Sequence, residues 1–113
     1  MPKSELPDAY ESFRERFGAH IDMLDTVGEM VSQSVGMDQK TKHLVKLGIA
    51  AGAGLTGAVK AHSRQALKAG ASPEQVEGVA LLCLTTIGLP RSVAVLQWIR
   101  EERSHSEERK KRK

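Results

Sequence analysis

The chain has 113 residues, of which 40% are hydrophobic, 27% charged and only 4% aromatic. This is the length and composition of one ordinary globular domain, and it excludes a multidomain enzyme or a low-complexity segment. The net charge of +3 is carried by residues 100–113, with seven Lys/Arg against four Asp/Glu, so the rest of the chain is neutral. The core has to be aliphatic, which is thin support for a lone short monomer, and self-association is expected. One cysteine, Cys83, excludes an intrachain disulfide and fits a reducing, cytoplasmic setting. The N-terminus lacks the apolar run of a signal peptide. The longest apolar stretches, 47–59 and 79–84, are too short to span a bilayer.

Strand signals are absent, and the apolar residues recur at helical spacing throughout. Pro7-Asp8 opens a first helix carrying Tyr10, Phe13 and Phe17, which Gly18 ends or bends. A second helix carries Ile21, Leu24, Val27, Met30 and Val31 and stops near Gly36. Asp38 is the expected N-cap of a third helix over 39–53. Four glycines follow within 48–57, which predicts a break near Gly52–Gly54, close helix packing, or both. A fourth helix spans 55–68 and stops at Gly70. Ser72-Pro73-Glu74-Gln75 is a capping box that opens a fifth helix, apolar on nearly every face. Pro90 begins a sixth, with Val93, Leu96 and Ile99. Beyond Arg103 the apolar periodicity stops, so residues 1–103 read as the domain and 104–113 as a charged, disordered tail that can be deleted without cost.

Three blocks carry a resemblance. They are Asp38-x-Lys40-Thr41-Lys42-x-Leu44-Val45, the run His62-Ser63-x-x-Ala66-Leu67-x-x-Gly70-Ala71-Ser72-x-x-Gln75-Val76, and Gly88-Leu89-Pro90. In order and spacing they resemble the carboxymuconolactone decarboxylase-like family, which includes the AhpD-type alkylhydroperoxidases. The resemblance covers about residues 7–102. It implies an all-α, AhpD-like bundle of about six helices, assembled as a homo-oligomer, a trimer or hexamer. Peroxidase members carry a Cys-x-x-Cys-x-x-x-His segment with a glutamate on the preceding helix. With the histidine placed on His62, the two cysteine positions fall on Leu55 and Ala58, and the glutamate position falls on His43. A dithiol peroxidase needs a nucleophilic and a resolving thiol, and neither is there.

The decarboxylase branch lacks the cysteine pair and uses no metal or organic cofactor. A small carboxylated lactone is anionic, so a cation should hold it and an imidazole should move its proton. His62 and His43 are the candidate catalytic residues, with Lys46 and Arg91 as candidate substrate-binding cations. His43 and Lys46 are at i and i+3 and share a helix face, opposite His62 on the next helix. No third ligand stands at metal-binding spacing, so no metal is expected. Cys83 reads as a small buried hydrophobe. The basic terminus has no interleaved aromatics and reads as a solubility tail rather than a nucleic-acid site. The leading functional reading is therefore a cofactor-independent lyase acting on a small carboxylated lactone or related anion. The alternative is a catalytically silent, oligomeric ligand-binding or interaction protein, and an alkylhydroperoxidase-type activity ranks last.

Overall fold

The structure, a computed structural model, describes residues 8–112. Pro7, the expected opener of the first helix, and Lys113 lie outside the described residues. Six helices and no strand are found among them: α1 (Asp8–Arg16), α2 (Gly18–Ser34), α3 (Gln39–Ala53), α4 (Thr56–Lys68), α5 (Pro73–Leu84) and α6 (Leu89–Lys111). No described helix is long and apolar enough to cross a membrane. The contacts divide the chain into two compact units, between Gly36 and Met37.

The first unit holds α1 and α2. Phe17 leaves the helical region (φ −123°, ψ 42°), so the break falls one residue before the expected Gly18. The rings of Phe13 and Phe17 meet at 4.9 Å. Arg14 reaches from α1 to Asp22 and Asp25 of α2, at 3.3 and 2.9 Å. Ile21 is buried, whereas Met23, Leu24, Val27, Met30 and Val31 stay exposed. Gly36 ends this unit in the left-handed region (φ +69°).

The second unit holds α3–α6, which pack around a ring in the order α3, α4, α6, α5. Each start signal read in the sequence is present. Asp38 accepts a hydrogen bond from the Thr41 amide at 2.7 Å. The Ser72 hydroxyl accepts from the Gln75 amide while the Gln75 side chain accepts from the Ser72 amide, both at 3.0 Å. Gly54 is the break between α3 and α4, with φ +73°. The core is aliphatic: Leu47, Ala50 and Ala51 of α3, Val59 and Ala66 of α4, Val76 and Ala80 of α5, Val95 and Ile99 of α6. Cys83 is buried at its edge, as read. Burying such side chains contributes about 25 cal/mol per Å².

Two expectations are corrected. The glycine cluster does not serve close helix packing within the chain. A Cβ added at Gly52 or Gly57 would meet nothing within 4 Å, and one at Gly48 would make only ordinary contact with Val79, at 3.8 Å. Instead Gly48 and Gly52, with Gly78 of α5, line an open groove of about 690 Å³ between α3 and α5. Missing side chains leave it hollow.

The second correction concerns the tail. Residues 104–111 continue α6 rather than standing apart from the fold. Val95, Ile99 and Glu102 form one buried stripe, and Ser106 and Arg109 extend it at helical spacing. The stripe goes on, but in hydrogen-bonding residues. The Glu102 carboxylate accepts from Arg64 of α4 at 3.1 Å, from Ser106 at 3.1 Å and from Arg109 at 2.9 Å. Burial pushes this carboxyl up, but the bonds from Arg64 and Arg109 outweigh it and hold it below its ordinary value. Its contribution is therefore complete above the ordinary carboxylate range and is lost as pH falls through the lowered pKa.

Replacing Glu102 by Ala leaves the Arg64 side chain, only 13% exposed, without this partner, and should cost about 3 kcal/mol. Deleting residues 104–113 removes Arg109 and Ser106 but keeps Arg64, and should cost about 1 kcal/mol. Urea unfolding curves of the three proteins measure both. Equal midpoints would contradict the network.

Candidate functional site

The turn at Gly54 sends α4 back along α3. His43 lies eleven residues before Gly54 and His62 eight after it, and their side chains meet. His43 Nδ1 and His62 Nδ1 are 3.2 Å apart. The ring centroids are 5.4 Å apart, so they exceed the nitrogen separation by 2.2 Å. That is about two imidazole ring radii, so both nitrogens lie close to the line joining the rings, as in a linear hydrogen bond. Two lone pairs converging on one ion would bring the rings closer together. The contact is an Nδ1–H···Nδ1 hydrogen bond, with one imidazole donating and the other accepting.

This bond sets the tautomers. The donor carries its hydrogen on Nδ1, which leaves its Nε2 with a free lone pair. The neutral acceptor carries its hydrogen on Nε2. At neutral pH the pair thus holds a basic Nε2 on one ring and an Nε2–H on the other. Burial, then the charges of Lys46 and Lys42, holds His43 below its ordinary pKa. Burial, then His43, Lys46 and Arg64, does the same to His62. Every charge named there is cationic, so the surroundings are electropositive around two neutral bases. Lys46 is exposed, one turn along α3 from His43.

The sequence reading thus brings together three of its four candidates. Arg91 is placed elsewhere. Its Nη1 donates to the carbonyls of Ala51 and Gly52, at 2.8 and 3.2 Å, and its guanidinium lies against Gly54. A cation on orphan carbonyls at a helix C-terminus is a cap. Gly52 lies nine residues beyond His43, about 13 Å along the helix axis. The groove between α3 and α5 is also separate: Leu44, Val45, Val79, Leu82 and Ile87 line it, and neither histidine does. Sequence reasoning missed Arg64, which adds to the positive surroundings of His62 and is tied to α6 through Glu102. The only available signal was its place two residues after His62.

Removing the cap should separate these roles. Arg91→Ala is expected to lower stability by about 1–2 kcal/mol and to leave the imidazole proton titrations of His43 and His62 unchanged. Denaturant melts and proton NMR titrations check the two halves, and a shifted histidine titration would place Arg91 in the site after all.

No curated protein sequence and no solved structure matches the chain significantly. A family model does: that of the carboxymuconolactone decarboxylase family, over residues 21–101. The match runs from α2 to α6 and includes both histidines and the turn that joins them. With six helices in the expected order and this match over most of its length, the chain belongs to the carboxymuconolactone decarboxylase family.

Proposed function

We propose that the protein is a cofactor-independent lyase of this family, acting on a small carboxylated lactone or a related anion. One observation carries the reading: the head-on Nδ1–H···Nδ1 bond between His43 and His62 among cations. A neutral imidazole with a free Nε2 is a base at working pH. Lys46 and the positive surroundings draw a carboxylate to it. His62 takes the proton-transfer role, and His43 holds its ring in place and passes protons to it. The same two positions in peroxidase relatives carry a histidine and a glutamate. Here the thiols of that chemistry are replaced by Leu55, at the start of α4, and Ala58, while Cys83 is buried on α5. A thiol-fed peroxidase route is not expected.

Release of CO2 from a panel of small carboxylated γ-lactones tests the reading. The expected outcome is turnover that falls by about 100-fold or more in His62→Asn and in His43→Asn. Turnover that survives both substitutions, or peroxide reduction that survives Cys83→Ser, would contradict it.

A second reading has its own observation. Val45, Ile49, Leu81, Leu82 and Ile87, on and around the α3–α5 groove, are all exposed. Isolated soluble monomers seldom leave so much contiguous apolar surface open. We propose that this face joins copies of the chain in a trimer or hexamer; a catalytically silent member would keep this face and lack the lyase turnover. Sedimentation velocity at micromolar concentration should give a species several times the 12.3 kDa chain mass. A single species at that mass would contradict the assembly. The setting we propose is cytoplasmic.

A further inference from the structure

Two imidazoles joined head-on through Nδ1 can hold one more proton, but not two. The first goes to the free Nε2 of the donor ring and makes its Nδ1–H···Nδ1 bond to the other ring charge-assisted. A second would put hydrogens on both facing nitrogens, 3.2 Å apart, and break the bond. The pair is therefore a one-proton unit whose macroscopic titration belongs to both rings.

Its surroundings decide when that proton arrives. Lys42 and Lys46 bear on the pair from α3, and Arg64 bears on it from α4. On α6, which packs against α4, Glu101 and Glu102 are engaged elsewhere. Glu101 is held by Lys60 at 3.0 Å, and Glu102 by Arg64 and Arg109. His105 follows on α6 and is exposed. On α5, Glu77 is held by Arg100 and Arg103. Cations thus oppose a further positive charge on the pair, and among the described residues no carboxylate is seen to favour it. An anion placed beside the pair reverses that balance.

From this geometry we infer that the His43–His62 pair binds a small carboxylate anion together with one proton, and that this is the proton a decarboxylation consumes. The second half rests on the lyase reading above. The stoichiometry closes. Loss of CO2 breaks a carbon–carbon bond and leaves its electron pair on the substrate carbon. An outward Nε2 hydrogen of the charged pair moves to that carbon and forms the new C–H bond, while the Nδ1 hydrogen stays between the rings. The pair returns to its neutral form, ready for the next anion. Proton and substrate enter in one binding step, so no separate protonation of an already crowded cationic site is needed.

The test is calorimetric titration of the full chain with succinate, a non-reacting dicarboxylate, at pH 7.5 in two buffers of different ionisation enthalpy. The expected result is uptake approaching one proton per succinate bound. The apparent Kd should weaken by close to 10-fold for each pH unit above neutrality. In the double variant His43→Asn, His62→Asn, binding should persist more weakly with no proton uptake. In Lys46→Ala, binding should weaken while the proton count stays the same. Succinate bound without proton uptake by the unaltered chain overturns the inference and leaves the lyase reading standing. No succinate binding at all removes the anion site and the lyase reading with it. Uptake that persists in the double variant assigns the proton to another group and also overturns the inference.

Discussion

The left-handed turn at Gly54 is the constraint on which the second unit depends. With φ +73°, it ends α3 and reverses the chain within two residues, so that α4 runs back along α3. Any side chain there would be strained by its backbone and would also meet the Arg91 guanidinium, at 3.0 Å from an added Cβ. Arg91, reaching from α6, closes the last α3 carbonyls over the turn. The reversal brings Leu47 and Ala51 into one buried cluster with Val59 and Ala66, and it carries His62 back to the level of His43. A core contact and the candidate site thus follow from one turn. A change in its direction would part the histidines as surely as a mutation of either.

A core made almost wholly of Leu, Val, Ile and Ala leaves little margin, and the chain adds polar ties between helices. Ser92 of α6 donates to the Ala80 carbonyl of α5 at 2.6 Å. Glu102 joins α6 to α4 through Arg64. Such buried pairs are poor sources of net stability, since desolvation offsets most of the attraction. They are costly to break, however, and they fix register. Arg64 sits two residues from His62, so the tie that sets α6 against α4 also adds charge to the site.

Much of this was legible in the sequence, and the exceptions have physical causes. Caps are local: Asp38 and Ser72 act on amides within three residues, so their effect is visible in the string itself. The aliphatic periodicity of α3–α6 is likewise local and predicted each helix. Ser106 and Arg109 were misread because their bonds to Glu102 continue the stripe in polar residues, which a search for apolar spacing passes over. The break at Gly54 was legible, but the close packing was not there, because composition says that side chains are missing, not whether the space is filled. At Gly48 and Gly52 it forms a groove. Of the site, the family positions pointed to His43 and His62, but nothing in the string states that their Nδ1 atoms face each other. Arg91 looked free because its partners are backbone carbonyls about forty residues away.

The chemistry rests on that facing pair. A histidine beside a carboxylate would be held protonated and would act first as an acid. A histidine beside a histidine, among lysines, is held neutral and acts first as a base that an incoming anion can charge. Long-range nitrogen–proton NMR on histidine labelled with nitrogen-15 reads this directly at neutral pH. The account predicts one imidazole with its hydrogen on Nδ1 and the other with its hydrogen on Nε2, joined by a scalar coupling between the two Nδ1 nuclei. Two Nε2–H rings with no coupling, each titrating independently, would contradict it.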